Sequence, residues 1–401
     1  MRVYHFTESP YTPAWKHADT MPIRNVMPGK YLDPMEASRL MNERLDEWAL
    51  ADEIGLDIMV NEHHATATSL NVSGSLPLAI LARETSRARL LVLGIPLGMR
   101  HDPLLVAEEL AYADVVSGGR LEMGLVKGGG VELGPTNSSP AELYARFWEA
   151  HDLILAAMTR HDAPFNFEGE HFHYRQVNLW PRPVQQPHPP VWMTCFSPAS
   201  AIEVADHGYV VAATLSAVIA KQIFETYRKR CAELGRPEPG NDRFSYMAQV
   251  AVGHTEEEGL ARLGQVRRYA WASSLSPEHF GSPAGYRPAE MVAKALRTPP
   301  KGSMFTNIPG RNGPAVNPVV CDPRDLIDPG VGFGGTPDQV YEQIVEFYRY
   351  CGGFGHLTAM MQGGPLNHAD TSDSLRLFAA EVLPRLQDFV KSETGAAVET
   401  A

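Results

Sequence analysis

Apolar runs of strand length alternate with helix-like stretches along this chain of 401 residues, and the alternation limits the folds open to it. Parallel strands that are buried on both faces read as short apolar runs, and crossover helices separate them. Such runs occur at 3–6, 57–61, 90–95, 121–126, 191–195, 209–214, 244–252 and 356–361. Eight strands alternating with helices predict an α/β fold, a (β/α)8 TIM barrel that fills residues 1–401 as a single domain.

The helical stretches begin at recognisable start signals. Asp33 and Pro34 give an N-cap and a proline at the first helical position, and Glu36 completes a capping box. The same pattern recurs from Ser139 and from Thr336. The sequence therefore predicts helices at about 34–54, 76–87, 103–117, 140–159, 200–207, 217–234, 256–272, 337–351 and 369–390.

Three segments exceed what a minimal barrel needs. Residues 7–32 form a Pro-rich connection, and residues 162–190 hold an alternating pattern with a turn, which predicts a β-hairpin outside the barrel. Residues 275–335 are rich in Gly, Pro and Asn and contain no convincing element. A loop of this length is typical of a lid or a binding segment. Each insertion is expected to follow a strand, so most of them should emerge at the catalytic end of the barrel.

Composition and charge argue against several classes of protein. The net charge is −12, from 35 basic and 47 acidic residues, and no basic block is present, so nucleic-acid binding is not expected. No apolar run reaches the roughly 18 residues that span a bilayer, and the amino terminus reads as a strand rather than a signal peptide. The four cysteines lie far apart without a Cys-x-x-Cys spacing, so neither a disulfide framework nor a metal site is predicted. We expect a cytoplasmic enzyme.

The most informative stretch is 57–64, in which a strand-like run breaks into Asn61, Glu62, His63 and His64. Polar residues at the carboxyl end of a barrel strand lie at the mouth, where such folds bind ligands. Histidine also exchanges protons near neutral pH. Adjacent strand residues point in opposite directions, so one of the two histidines should face the mouth. A structural role, in which each histidine bonds a neighbouring loop, is an equal alternative.

A candidate phosphate site combines Lys127 with residues 197–200. Lys127 ends the fourth strand and precedes three glycines, and Ser197 would cap a helix that follows the fifth strand. A helix amino terminus offers free N–H groups and the positive end of its dipole to an anion. On spacing alone, a routine cap and a surface lysine are the favoured alternative. No dinucleotide or P-loop glycine pattern is present between a strand and a helix.

Taken together, these elements resemble the bacterial luciferase-like family of flavin-dependent monooxygenases. In chain order, the resemblance is carried by an amino-terminal strand, Glu-His-His at 62–64, Leu-Gly-Ile-Pro at 93–96, His-Asp-Pro at 101–103, Ser-Gly-Gly-Arg-Leu-Glu-Met-Gly-Leu-Val-Lys-Gly at 117–128, Pro-Pro-Val at 189–191, Ala-Asp-His-Gly at 205–208 and Gly-Thr-Pro-Asp-Gln-Val at 335–340. The Ser-x-Gly-Arg block and the Gly-Thr-Pro helix start are fairly specific to the family, and the match extends over nearly the whole chain.

Carried over residue by residue, the resemblance implies that His63 is the catalytic base and that Glu62 is its acidic neighbour at the cofactor. It places Lys127 where the family often has an arginine on the phosphate of FMN. The other cofactor contacts that it implies are Ser197 and Ser200 at the phosphate, Gly94 and Ile95 in a non-prolyl cis bulge beneath the flavin ring, and Val126 beside it. Val126 stands where luciferase itself has a cysteine of the reactive region, so light emission and an aldehyde substrate are not implied.

The function that the resemblance implies is that of an FMN-dependent monooxygenase of a two-component system. Such an enzyme receives reduced FMN from a separate flavin reductase, uses O2 to form a flavin peroxide and oxidises a small hydrophobic substrate. The absence of an NAD(P)H motif in the sequence agrees with a separate reductase. The resemblance also implies a homodimer that pairs through helices beside the second strand. A deazaflavin-dependent oxidoreductase and a non-catalytic flavin-binding protein of the same fold are the alternatives.

Overall fold

Eight parallel strands close into a barrel in the computed structural model, which describes residues 1–214, 216–287, 289–297 and 306–395. In chain order all of the strands of the described residues are β1 (Arg2–Thr7), β2 (Asp57–Val60), β3 (Leu90–Pro96), β4 (Leu121–Val126), β5 (Phe165–Glu168), β6 (His173–Val177), β7 (Val191–Cys195), β8 (Val210–Ala213), β9 (Phe244–Val252), β10 (Gly332–Gly335) and β11 (His356–Gln362). Three of these strands, β5, β6 and β10, lie outside the ring. The ring runs β11-β1-β2-β3-β4-β7-β8-β9, and β9 pairs with β11 to close it. The predicted (β/α)8 TIM barrel is confirmed.

The barrel strands bury both of their faces, because alternate side chains enter two separate apolar clusters. The inner cluster fills the barrel and includes Tyr4, Phe6, Met59, Leu91, Leu93, Trp192 and Met360. The outer cluster lies between the strands and the helices and includes Val3, Ile58, Leu90, Val92 and Leu121. This packing explains why the strands read as continuous apolar runs.

The helices pack around the barrel and begin largely where the start signals predict. In chain order they are α1 (Pro34–Glu53), α2 (Ser75–Glu84), α3 (Pro103–Ser117), α4 (Leu143–Thr159), α5 (Pro198–His207), α6 (Ala217–Glu233), α7 (Glu256–Ser274), α8 (Glu278–Gly281), α9 (Ala289–Arg297), α10 (Pro337–Cys351), α11 (His368–Leu377) and α12 (Leu383–Thr394). Asp33 caps α1 by accepting from the N–H groups of Met35 and Glu36, and Thr336 forms a complete capping box with Gln339. In the part of the chain described, none of these helices is long and apolar enough to cross a membrane.

Two helix predictions are wrong in detail. Helix α4 begins at Leu143 rather than near Ser139. Asn137 is left-handed, with φ of 52°, and the N–H of Ser138 still donates to the carbonyl of Leu133 at 2.9 Å, so this stretch belongs to the preceding turn. The single helix predicted over 369–390 is divided by a π-helical turn (Phe378–Val382). The cause is Pro384, which has no N–H for the regular bond to the carbonyl four residues earlier.

The structure also contains elements in 275–335, where none was predicted. Besides α8 and α9, β10 pairs in parallel with the carboxyl half of β9. Its sequence, Gly-Phe-Gly-Gly, carries little strand propensity. These glycines allow α7 to approach closely, because a Cβ atom on Gly334 would lie 2.8 Å from Cδ2 of Leu263. The sequence pattern did not predict β10, because its glycines are required by close packing against α7 and not by strand propensity.

The insertions 162–190 and 275–335 do not begin where the sequence predicts. Residues 162–190 form the predicted hairpin, with β5 antiparallel to β6, but they follow α4 rather than a strand. Nε2 of Gln185 donates to the carbonyl of Leu121 at 2.7 Å, so this insertion returns to the amino end of β4. The insertion 275–335 also follows a helix, α7. The expectation that every insertion follows a strand is therefore wrong.

Candidate active site

The chain segments that follow β1, β2 and β4 bring His63 between two carboxylates. Nδ1 of His63 lies 2.7 Å from Oε1 of Glu132, and its Nε2 lies 3.3 Å from Oε2 of Glu8. Glu8 directly follows β1, and Glu132 lies in a 3-10 turn that follows β4. The side chain of His63 is 25% exposed, whereas those of Glu8 and Glu132 are 10% and 5% exposed. The imidazole therefore lies at the barrel mouth in a largely dry acidic pocket.

Both ring nitrogens of His63 face oxygen atoms that can only accept hydrogen bonds. An ionised carboxylate has no proton to donate, so both contacts form when both imidazole nitrogens carry hydrogen. Burial favours the neutral imidazole, but the charges and hydrogen bonds of Glu132 and Glu8 outweigh it and raise the pKa of His63 to about 10. Burial also disfavours ionised Glu132, yet His63 holds the pKa of that carboxyl below its ordinary value. His63 is therefore charged at neutral pH and is suited to donate a proton.

His64 turns away from that pocket and pairs with Glu62. Nε2 of His64 lies 3.0 Å from Oε1 of Glu62. The other oxygen of Glu62 accepts from the N–H of Gly74 at 3.0 Å and from the guanidinium of Arg100. The Glu62 side chain is fully buried, and these partners compensate its charge. The two histidines diverge, and the structure gives Glu62 three protein partners on the side of His64.

The first insertion and helix α7 cover the mouth above this pocket. Trp15 of the first insertion packs in one buried cluster with Ala272, near the end of α7. Tyr269, also on α7, is hydrogen-bonded to Glu8, and burial together with the charge of Glu8 raises the pKa of its hydroxyl. Helix α7 thus links the covering segments to one of the carboxylates that hold His63.

The residues implied for the flavin ring meet between β3 and β4. The Leu93–Gly94 peptide bond is cis, and the pairing register with β4 shifts between Leu93 and Ile95. A Cβ atom on Gly94 would lie 2.6 Å from Cγ1 of Val126, so the missing side chain of glycine permits this approach. Val126 itself packs against the inner cluster. Gly94, Ile95 and Val126 are thus neighbours at the carboxyl end of the barrel.

Lys127 lies within electrostatic range of α5 and beneath the third insertion. Glu203 of α5 acts on its charge, although burial has the larger effect and lowers the pKa of Lys127. Its Nζ lies 4.8 Å from the ring centroid of Tyr286, a cation–π contact. The hydroxyl of Tyr286 donates to the carbonyl of Gly128 at 3.4 Å. The insertion 275–335 therefore reaches the carboxyl end of β4 and covers the lysine.

The first turn of α5 follows β7, the strand that pairs with β4, and supplies further donors at the same end of the barrel as Lys127. Ser197 is the N-cap residue, and within the described part of the chain its hydroxyl makes no capping bond to the helix. This exposed hydroxyl lies 3.4 Å from Oγ of Ser200, which donates to the carbonyl of Ser197 at 2.8 Å. A ten-residue helix also directs its first N–H groups and its dipole at this point. A cation, hydroxyls and a helix amino terminus are the donor set that a phosphate such as that of FMN requires.

Several residues of the site were missed from the sequence. Glu8 could have been found, because it follows β1 just as Glu62 and His63 follow β2. Glu132 carried no such signal, since it lies in a turn beyond three glycines and 69 residues from His63. Tyr269 and Tyr286 lie on α7 and on the third insertion, and tertiary contacts alone bring them to the mouth.

The structure is a closed α/β barrel in which His63 lies between two carboxylates at the carboxyl end of the strands, the end at which enzymes of this fold place their active sites. The family model of the luciferase-like monooxygenases matches residues 33–353. The chain therefore belongs to the luciferase-like monooxygenase family.

Two relatives illustrate the range of sequence similarity. Protein y4wF of Sinorhizobium fredii is 32% identical over 204 residues, which cover 50% of this chain and 58% of that relative. The chain thus matches less than two thirds of the length of that relative. The oxygenase component of the flavin-dependent trigonelline monooxygenase of Acinetobacter baylyi is 23% identical over 279 residues, which cover 67% of this chain and 76% of that protein.

Solved structures share the fold at low identity. Monooxygenase RslO1 from Streptomyces bottropensis superposes with a TM-score of 0.71 and 21% identity, over 96% of this chain and 100% of that one. The oxygenating constituent of the 3,6-diketocamphane monooxygenase of Pseudomonas putida, a type II Baeyer–Villiger enzyme in complex with FMN, gives 0.70 and 19%, over 96% and 98%. An F420-dependent secondary alcohol dehydrogenase gives 0.61 and 16%, over 88% and 95%. The fold therefore carries both oxygenases and deazaflavin-dependent dehydrogenases.

Proposed function

We propose that the protein is the oxygenase component of a two-component system, which takes reduced FMN from a separate reductase and uses O2 to oxidise a small hydrophobic substrate. The observation that carries the proposal is that one end of the barrel holds both a lysine next to a helix amino terminus on the neighbouring strand and a histidine between two carboxylates. Reduced FMN, when bound, supplies the electrons that activate O2. The protein has to hold the cofactor, exclude water and move a proton.

The cofactor would be held at two points. Lys127 with Ser197 and Ser200 would bind the phosphate, because a cation and a helix start favour a dianion. The flavin ring would lie against the cis bulge of Gly94 and Ile95, next to Val126. Its other neighbour would be the segment after β2, in which Glu62 fixes His64 and Arg100.

A hydrophobic substrate could enter through an open cleft of about 550 Å³ beside Gly130, the third glycine after Lys127. The lining of this cleft mixes polar residues such as Asn137 with apolar ones. Its apolar lining comes from the turn after β4 and from the third insertion, and comprises Leu133, Pro140, Phe280 and Pro283. A cleft of this size can take a drug-sized organic molecule. The covering aromatic residues of the first insertion and α7 would keep bulk water away from the reacting atoms.

The homodimer is supported by an exposed apolar surface on α2 and α3. It is formed by Leu76, Ile80, Leu105, Tyr112 and Val115, which are each 40–63% exposed. Helix α2 packs against α3, and exposed apolar side chains that are grouped on neighbouring helices favour protein–protein contact. These two helices follow β2 and β3, which is where the resemblance implies pairing.

The second candidate function is that of a deazaflavin-dependent oxidoreductase, because an F420-dependent dehydrogenase shares this barrel fold. Anaerobic titration of the protein with reduced FMN, oxidised FMN and deazaflavin distinguishes the two functions. We expect reduced FMN to bind most tightly. Tightest binding of deazaflavin would replace the first function by the second, and binding of none of the three would overturn both.

Turnover supplies the second half of this test. The protein, a flavin reductase and hydrophobic candidate substrates are incubated under isotope-labelled O2, and products are analysed by mass spectrometry. We expect one labelled oxygen atom in the product and the other in water. A product oxidised without labelled oxygen would contradict a monooxygenase.

A further inference from the structure

The carboxylates on either side of His63 belong to separate parts of the chain, and both converge on one imidazole. Resting on the proposed function, we propose that Glu132 and Glu8 are positioning residues that hold His63 as an imidazolium, and that the proton on its Nε2 is the one delivered to the reacting oxygen. The family resemblance implies a base at this position. The geometry instead assigns His63 the role of an acid.

The two contacts differ, and the difference selects the donating atom. Glu132 lies 2.7 Å from Nδ1 of His63 and also accepts from the N–H of His64 at 3.1 Å, so it is fixed at two points. Nε2 faces Glu8 at 3.3 Å, which is longer than the 2.7–2.9 Å or so that is usual for a charge-assisted hydrogen bond. Glu8 is shared with Asn61 and Tyr269. The hydrogen bond from Nδ1–H to Glu132 therefore holds the ring in place, and the proton on Nε2 is the one that His63 can transfer.

The charges around the pocket favour the same state. Two nearly buried carboxylates require a compensating cation, because an unpaired charge in a dry site is costly. The positive charge of Arg24 stabilises the ionised forms of Glu132 and Tyr269. The carboxylate of Glu62 is instead paired with His64 and Arg100, away from the His63 pocket. Loss of the proton from His63 would leave Glu8 without its cationic neighbour. The pocket thus returns His63 to its charged form after each transfer.

The step is a proton transfer in which the protein is neither oxidised nor reduced. The Nε2–H bond breaks, an O–H bond forms at the acceptor oxygen, and the neutral imidazole keeps its Nδ1–H on Glu132. Solvent then restores the proton through the exposed quarter of the side chain.

The first test needs no flavin. Heteronuclear NMR follows the ring nitrogens of labelled histidine against pH, and the His63→Asn variant assigns the His63 signals. We expect both nitrogens to stay protonated in the parent through neutral pH, with a midpoint near 10. Glu132→Gln and, separately, Glu8→Gln should each lower this midpoint by about 1–3 pH units, the effect of removing one adjacent charge. The matched control is Glu62→Gln, which removes the carboxylate on the side of His64 and should leave the His63 midpoint in place.

The outcomes separate this proposal from the proposed function. A parent His63 that titrates near pH 6.5, or a Glu62→Gln control that shifts His63 as far as Glu132→Gln does, overturns the imidazolium assignment. If Glu132→Gln does not fold, Glu8→Gln carries the same test. With flavin and substrate present, Glu132→Gln should lose product per reduced flavin as pH rises through its lowered midpoint, while the parent does not. Unchanged coupling in a variant whose midpoint has moved overturns the donor role, whereas failure to bind reduced FMN overturns only the proposed function.

Discussion

His63 and His64 are adjacent in the chain, yet their imidazoles bond to carboxylates from different parts of the barrel, Glu132 and Glu62. This divergence gives the two histidines distinct environments. His63 lies beside the covered pocket, whereas His64 fixes a fully buried acid. The two can therefore be tested separately, and each serves as the control for the other.

We expect His63→Ala to lower product formation by about two to four orders of magnitude, the usual contribution of a general acid. Reduced flavin and O2 should then give mainly hydrogen peroxide. His64→Ala should keep its coupling and lose about 1.5–3 kcal/mol of stability, because it removes a charge-assisted hydrogen bond from the buried carboxylate of Glu62. The measurement is product per reduced flavin consumed. Normal coupling in His63→Ala with loss of coupling in His64→Ala would reverse the assignment.

Lys127→Ala should weaken FMN binding by about ten- to a hundredfold, because a charge-assisted contact to phosphate contributes roughly 1.5–3 kcal/mol. Riboflavin has no phosphate and should bind the variant and the parent alike. Lys221→Ala removes an equal charge from the surface of α6 and is the matched control. Fluorescence titration measures all six affinities. Equal weakening of riboflavin and FMN by Lys127→Ala would show that the lysine does not act on the phosphate.

Leu76→Asp and Tyr112→Asp should each shift the protein toward the monomer, because a charge in the centre of an apolar interface is left without a partner. Sedimentation across a range of concentrations gives the oligomeric state. Val320→Asp, which places the same charge at another exposed apolar residue, should leave the dimer intact. A parent protein that sediments as a monomer at every concentration rules out the dimer. Specific pairing should bury more than about 1,000 Å².

His5 should make the protein sensitive to acid. It is fully buried, and among the described residues its ring nitrogens have no hydrogen-bond partner. Burial, with a smaller effect from Arg44, lowers the pKa of His5 to about 3. Between about pH 6.5 and 3 the unfolded chain binds a proton that the folded protein does not, so the free energy of unfolding falls as pH falls.

For this one group the slope is about 1.4 kcal/mol per pH unit, and the effect is absent above pH 6.5 or so. The measurement is the urea concentration at the unfolding midpoint, determined at a series of pH values. Below about pH 6.5 this midpoint should fall less steeply with falling pH in His5→Leu than in the parent, which flattens the acid limb of the curve. The control is His173→Asn on the exposed hairpin, which should leave the limb unchanged. An acid limb that is as steep in His5→Leu as in the parent would contradict the prediction.

The barrel and the local half of the site could be predicted from patterns in the sequence. Strands buried on both faces must be apolar, and helices must begin at residues that satisfy their first N–H groups, so both leave a pattern within a few residues. The carboxyl ends of parallel strands meet at one mouth, so His63, Lys127 and Ser197 could be chosen from their positions after strands. The whole-chain resemblance then added the cofactor and the reaction class.

The side chains that contact His63 and Lys127 depend on the tertiary structure. The strand Gly-Phe-Gly-Gly is selected by the close approach of α7, and the partners of His63 and Lys127 come from segments 69 and 159 residues away along the chain. Such contacts leave no periodicity or spacing in the sequence, because they depend on how loops fold back over the mouth. Protonation follows the same rule: an isolated histidine titrates near 6.5, and only the folded placement of Glu8 and Glu132 raises the pKa of His63 to about 10.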